Sequence, residues 1–434
     1  MTAFGQGVLD GALARQLVAP PLSDFEGLAG MGRLPLSQTN SSPLFALAVL
    51  IAAAPVAIAL YAYVAYPAII WAVARLRPHI QAGVQSEAWP SVTITVPVYN
   101  EVSSIRTTLE RLLELDYPKD KLQLLVLSDA SNDGTDDVVW KLAARGVELL
   151  RAPVRRGKTA AENSAVAVAR GQIIVNVDAT VIIPSGSLKH LIRAFDDPTV
   201  GVASGRDVSV GAAGRYEAGA ESGYTSYEMR LRDLETRAGS IVGASGCFYG
   251  IRHTIRVAPL PGGLSWDFAS TLVARQQGYR SVSVPGAVCL VPRTAEIRSE
   301  LRRKTRTMAR GLNTLYYFRA LMNPFTYGSF AFMLISHKLF RWVPYLLLPV
   351  AILALGVLAI GNTLAAVLLG IVVVGALTGA AAIRYGSSIR FKPLTLAGFV
   401  VAAFSAGFLA WVDAFRGTRM VTWDPTPRPS VTHG

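Results

Sequence analysis

Two stretches decide the fold: Val92-Thr93-Ile94-Thr95-Val96-Pro97-Val98-Tyr99-Asn100-Glu101, and Leu122-Gln123-Leu124-Leu125-Val126-Leu127-Ser128-Asp129. The β-branched run from Val92 to Val96 closes at Pro97 and reads as a strand. Ile105, Leu109, Leu112 and Leu113 follow at helical spacing. Leu122 to Leu127 is a second apolar run, ending at Ser128-Asp129. Outward from this pair the alternation continues. Asp136 to Ala144 is helical, Val147 to Leu150 a short strand, Lys158 to Arg170 an Ala-rich helix, and Ile173 to Val177 a strand that ends at Asp178. Such alternation builds right-handed βαβ units, so the predicted class is α/β with a mostly parallel sheet.

In sheets of this kind a ligand sits beyond the carboxyl ends of the strands. Those ends carry Asn100 and Glu101, then Asp129, Asn132 and Asp133, then Asp178. Carboxylates and amides gather at one edge, without a glycine-rich dinucleotide loop. Gly157-Lys158-Thr159 ends like a phosphate-binding loop of the Walker type, but the glycine required five residues earlier is Ala152.

The chain of 434 residues as a whole is apolar to an extent that a soluble protein is not: 51% are hydrophobic and 16% charged, against about 25% charged in soluble domains. Disordered and collagen-like classes are excluded. Two cysteines make no disulfide scaffold, and five scattered histidines show no zinc spacing. The net charge of +13 is not that of a nucleic-acid binder, because no stretch interleaves basic residues with base-stacking aromatics. Lys and Arg instead collect on the cytoplasmic side of membrane proteins. An uncharged run over 44–74 leads into Arg75 and Arg77, so a membrane helix is expected at 44–76, after an N-terminal segment 1–43. A second apolar region over 342–415 is expected to hold about three further spans, preceded by an interfacial helix at 325–341 and followed by a tail, 416–434. The intervening domain is 89–324. Its Glu221, Glu228 and Glu235, seven residues apart among arginines, read as a solvated helix face.

Taken in order, Pro97-Val98-Tyr99-Asn100-Glu101, Ser128-Asp129-Ala130-Ser131-Asn132-Asp133-Gly134-Thr135, Arg156-Gly157-Lys158 and Asp178-Ala179-Thr180 resemble the family 2 glycosyltransferases of GT-A fold. Gly243 to Arg252 is similar to the family's acceptor-side segment, and Ser265-Trp266-Asp267 stands at the place of its catalytic acid pair. With its flanking spans the chain resembles the membrane-bound cellulose, hyaluronan and poly-N-acetylglucosamine synthases.

The resemblance implies an inverting transfer from a nucleotide sugar, UDP-linked, to a membrane-proximal lipid-linked or polysaccharide acceptor, at the inner membrane with the catalytic domain cytoplasmic. Pro97, Tyr99, Glu101, Asp129 and Lys158 would hold the nucleotide. Asp178, with Thr180 in place of the usual second aspartate, would hold Mg2+ or Mn2+ on the diphosphate. Asp267 would act as general base. Arg303 and Arg306 would contact diphosphate and acceptor, although Thr307 replaces the tryptophan of the processive enzymes' QxxRW motif. Trp266 would either stack on a sugar or pack in the core. The altered motifs motivate a second reading, a non-catalytic scaffold or subunit of a larger membrane assembly.

Overall fold

The computed structural model describes residues 43–77, 88–211, 220–256, 258–292, 297–385, 392–417 and 421–422. The N-terminal segment up to residue 42, the basic loop about Arg390 and most of the tail lie outside the described residues. The chain begins with a long apolar helix, α1 (Pro43–Leu76), carrying one π-helical turn at Tyr61–Ala65. β1 (Val92–Val98), α2 (Ile105–Leu113), β2 (Leu122–Ser128), α3 (Thr135–Trp140), β3 (Val147–Arg151), α4 (Lys158–Ala165) and β4 (Ile173–Val177) then alternate as expected from the sequence. α5 (Ser187–Arg193), β5 (Val200–Val210), α6 (Ala220–Ala238), β6 (Phe248–Arg252), α7 (Trp266–Gln276) and β7 (Arg280–Pro292) complete the domain.

Among the described residues seven strands form one sheet in the order β3-β2-β1-β4-β6-β5-β7. β1 pairs in parallel with β2 and β4, while β6 runs antiparallel between β4 and β5. β1 is buried along its whole length, as a central strand covered on both faces must be. Ile94, Val96, Leu109, Leu112, Leu124 and Val175 belong to its main core. The register sets Val98 beside Ser128, so both loops open at the same sheet edge. Just beyond it Asn100 and Ala130 adopt positive φ, 53° and 59°. Side chains rarely accept this conformation, and such strain collects at functional edges.

After β7 come the amphipathic α8 (Ile297–Tyr317), a short turn at Pro324–Tyr327, then α9 (Ser329–Ala359), α10 (Thr363–Tyr385) and α11 (Lys392–Phe415). Among the described residues α1, α9 and α10 are long and apolar enough to cross a bilayer. The stretch 325–341, read as a separate interfacial helix, runs from Ser329 straight into α9 through a π-helical turn at Ile335–Leu339. Its His337 and Arg341 are buried against α6 instead of facing headgroups.

Those partners revise the reading of α6. Glu228 and Glu235 are buried, not solvated; the Glu221 side chain is outside the described residues. His337 bonds both carboxylates, at 2.9 Å to Glu228 and 2.6 Å to Glu235. Arg341 donates to Glu228 at 2.6 Å, and the Tyr66 hydroxyl of α1 donates to Glu235 at 2.6 Å. Burial raises the cost of the Glu228 charge, yet His337, Arg341 and Lys338 outweigh it and hold the carboxyl well below its usual range. One ionic cluster thus ties two apolar helices to the sheet domain. Around it Tyr66 and Ile70 share an apolar core with Trp266, Phe268 and Leu272 of α7 and with Phe330, Met333 and Leu334 of α9.

Candidate active site

The site begins with a loop that a carboxylate holds. Asp129 is fully buried, and its two oxygens accept the Arg156 and Gly157 amides at 2.7 and 2.8 Å. That fixes Gly157 at φ 89° and ψ 162°, open only to glycine, and aims Lys158, the first residue of α4. On the other side Asp133 accepts the Val102 amide at 3.1 Å and the Thr135 amide at 3.0 Å, and Thr135 Oγ1 accepts the Glu101 amide at 2.9 Å. Burial works against the Asp133 charge, but these donors prevail and keep its carboxyl below the ordinary range. Pro97 lies within β1, Glu101 accepts from the Ser104 hydroxyl ahead of α2, and the Arg155 guanidinium lies 3.7 Å over the Tyr99 ring.

Lys158 joins this edge to the next strand. Its amine sits 2.6 Å from Asp178 Oδ1 and 3.4 Å from the Gly246 carbonyl. Burial works against the charge on that amine; Asp178, Glu162 and Asp267 outweigh it and push its pKa above the ordinary lysine value. The Asp178 amide donates to the Cys247 carbonyl at 3.1 Å, and β4–β6 pairing places Val177 beside Phe248. Gly246 in turn abuts Asp267, whose Oδ2 lies 3.1 Å from where a β-carbon on Gly246 would stand. Asp267 opens α7, takes a hydrogen bond from the Ser265 hydroxyl, and through its carbonyl accepts the Ala244 amide at 3.2 Å. Asp129, Lys158, Asp178 and Asp267 therefore form one connected wall, through Gly157 and Gly246.

Three charged groups here were not singled out from the sequence. Glu162, one turn after Lys158, is buried, and burial lifts its carboxyl above the ordinary range despite Lys158, Arg256 and Arg310 nearby. Arg256 is buried with its guanidinium 4.3 Å over Trp266. Arg310 of α8 donates to Thr159 Oγ1 at 2.5 Å and to the Leu264 carbonyl, and it feels Asp267 and Glu162 electrostatically. Arg303 and Arg306 stand seven and four residues earlier on the same helix, part-buried, and Arg310 is bonded beside the wall at Thr159. The spacing 303, 306, 310 contained that signal. Trp266 settles as a core residue: its indole nitrogen donates to Asn163 at 2.8 Å.

Asp178 and, two residues on, Thr180 are oxygen donors of the kind that, together with the oxygens of a diphosphate, would suit Mg2+ or Mn2+. Among the described residues no three His, Cys, Asp or Glu side chains are grouped so as to hold a metal ion by themselves. The protein's share of such a site is thus small, and the Lys158 amine competes for Asp178.

Residues 93–256, which include Asp129, Lys158 and Asp178 but not Asp267, match the family described as Glycosyl transferase family 2. The chain carries a family 2 glycosyltransferase domain. It is 26% identical over 222 residues to the poly-beta-1,6-N-acetyl-D-glucosamine synthase of Staphylococcus aureus (strain COL), covering 47% of this chain and 50% of that one. It is also 26% identical over 167 residues to the beta-monoglucosyldiacylglycerol synthase of Nostoc sp. (strain PCC 7120), covering 38% of this chain and 36% of that one. The mannosyltransferase PcManGT of Pyrobaculum calidifontis, solved with GDP-Man and Mn2+, is similar with a TM-score of 0.66 at 25% identity, over 86% of this chain and 99% of that one. The aligned part of the chain spans 36% to 50% of the length of these two curated relatives. The expected α/β, GT-A-type fold with a mostly parallel sheet is what the structure and its neighbour have.

Proposed function

We propose that the chain is an inverting glycosyltransferase that moves a sugar from a nucleotide donor, UDP-linked in our reading, to a lipid-linked or polysaccharide acceptor at the membrane surface. One observation carries this: the carboxylate wall, Asp178–Lys158–Gly246–Asp267, ends on α7 at Asp267, and Phe268, Ala269 and Leu272 of α7 share one apolar core with α1 and α9, Phe268 meeting Trp342 edge to face. A base in that position reaches acceptors that lie in lipid. Arg75 and Arg77 at the end of α1 support a reading in which the domain lies on the cytoplasmic side of the inner (plasma) membrane.

The chemistry follows from the groups present. The Tyr99–Glu101 turn and the Gly157 loop flank the nucleotide. A diphosphate leaving group gathers negative charge, and the Lys158 ammonium, with Arg303, Arg306 and Arg310 along α8, answers it. A cation held by Asp178 and Thr180 would add positive charge at the departing diphosphate. Asp267, oriented by Ser265, accepts the proton of the acceptor hydroxyl as that oxygen attacks the anomeric carbon. Attack opposite the leaving group inverts the centre, so an α-linked donor yields a β-linkage.

The test uses the purified full chain in nanodiscs with radiolabelled UDP-sugars and GDP-mannose, extracted membrane lipids as acceptors, and added Mg2+ or Mn2+. We expect a labelled lipid or glycan product, identified by mass spectrometry. Turnover of no donor together with absence of UDP and GDP binding would instead support the scaffold reading.

A further inference from the structure

We propose that α11 does not cross the membrane but lies along its surface on the side of the catalytic domain, with Val400, Phe404, Phe408 and Leu409 seated in lipid. This inference goes beyond the transfer reaction and rests on α9 and α10 being helices that cross.

The order of elements sets the first constraint. α9 leaves the catalytic domain at His337 and Arg341, both bonded to Glu228 of α6. The tight turn Ile360-Gly361-Asn362 reverses the chain, so α10 returns toward the domain and ends there at Tyr385. Lys392 then opens α11 on that side. With 24 residues α11 is about 36 Å long, enough to reach the opposite surface. Its end is not there. Trp411 donates to the Trp342 carbonyl near the start of α9 at 2.9 Å, and Ala410 and Ala414 pack with Met308, Ala309 and Leu312 of α8. α8 belongs to the domain, where its Arg310 bonds Thr159. Both ends of α11 therefore lie on one side.

The contacts between those ends show how level the helix runs. Gly379 of α10 lies against Val401, and Tyr345 of α9 lies against Gly407, each so closely that the glycine has no room for a β-carbon. At the rise of an α-helix Gly379 and Tyr345 stand about 24 and 21 Å from the α9–α10 turn. Val401 and Gly407 are about 9 Å apart along α11, yet they meet partners within about 3 Å of the same depth. The two faces of α11 differ accordingly. Ala402, Ala406 and Ala410 recur one turn apart and are buried, the small side that closes onto protein. Val400, Phe404 and Phe408 recur in the same way, with Leu409 beside them, and are exposed, although the Phe404 ring also meets Tyr345 edge to face. A helix lying in water would turn polar residues outward. Large apolar side chains on the outer face, continuous with α9 and α10, fit the boundary between headgroups and acyl chains. Charge agrees: Arg416, Arg419 and Arg428 follow α11 in the sequence and fall on the side of Arg75 and Arg77, as the distribution of basic residues about membranes requires. α8 thus stands one helix away from lipid.

Two measurements on the full chain in sealed vesicles of known orientation test this. The first is sidedness. Trp140→Cys on the catalytic domain, Ile360→Cys at the α9–α10 turn and Phe415→Cys at the end of α11 all sit at exposed positions. Each variant is treated with a membrane-impermeant maleimide from one side, and modification is read peptide by peptide by mass spectrometry, which keeps Cys247 and Cys289 apart. We expect Phe415→Cys to react from the side of Trp140→Cys, and Ile360→Cys from the other. Reaction of Phe415→Cys from the Ile360→Cys side would overturn the placement. Trp140→Cys and Ile360→Cys reacting from one side would instead remove the crossing of α9 and α10 on which it rests. The second measurement uses the wild-type chain and a phospholipid with a photoactivated diazirine in its acyl chain. We expect lipid adducts at Val400, Phe404, Phe408 and Leu409 as well as on α10, and at least tenfold fewer at Ala402 and Ala406. Adducts on α10 with none on α11 would show that water or another protein covers that face, and would overturn lipid as its occupant.

Discussion

Asp129 spends both carboxylate oxygens on the Arg156 and Gly157 amides, so its effect on a nucleotide passes through the loop it holds. Asp129→Asn sets an NH2 group against an amide donor. We expect UDP affinity to fall about 10- to 100-fold, the equivalent of one charge-assisted hydrogen bond of ~1.5–3 kcal/mol, as measured by titration calorimetry. Unchanged affinity would show that the loop does not depend on that carboxylate. Gly157→Ala attacks the same loop from the other side: its φ of 89° suits only glycine, and the strain should cost about 1–3 kcal/mol in thermal or denaturant unfolding. Glu162 supplies a pH signature. Its carboxyl is raised above the unfolded value, so its contribution to stability is full below the ordinary carboxylate pKa and is lost as pH rises through the folded value. Glu162→Gln should flatten that decline, gaining stability relative to wild type at pH 8 more than at pH 4. Equal differences at both pH values would contradict the assignment.

At the scale of elements, what the sequence revealed follows from distance along the chain. β1, β2 and β4 were legible because a strand buried on both faces is a continuous apolar run, and the edge carboxylates follow it within a few residues. Asp267 and Lys158 were found by motif order, though nothing local shows that Gly246 brings them together. α6 was misread. Its glutamates recur on a charged helix, and their partners stand about a hundred residues on, in a stretch whose His337 and Arg341 look like headgroup contacts. Pairings of that range leave no period in the sequence. Arg310 was passed over for a related reason: the motif drew attention to Arg303 and Arg306, whereas the helix delivers the arginine one turn later to Thr159. The α6 cluster predicts its own importance. Glu235→Ala leaves His337 and the Tyr66 hydroxyl without their shared acceptor in a buried place, which should cost about 3–5 kcal/mol. Glu235→Gln, which keeps an acceptor, should cost less. Thermal unfolding in detergent compares them, and equal small losses would show that the cluster is not a junction.

At the scale of the molecule, the catalytic domain and the apolar helices share one core, in which Tyr66, Trp266 and Phe330 meet. Asp267 therefore stands on a helix that shares this core, and under the proposed function an acceptor in lipid would have a short path to it. Alkaline carbonate washing should leave the chain in membranes, and detergent should release it with the domain folded; release by carbonate alone would contradict the spanning reading of α1, α9 and α10. The central claim is that Asp267 removes a proton from the acceptor in a pocket that binds nucleotide independently of it. The most direct measurement is sugar transfer and UDP binding by Asp267→Asn in nanodiscs, side by side with wild type. Loss of a general base predicts transfer slowed by about 10²- to 10⁴-fold with UDP affinity kept within about twofold. Transfer at the wild-type rate would contradict it.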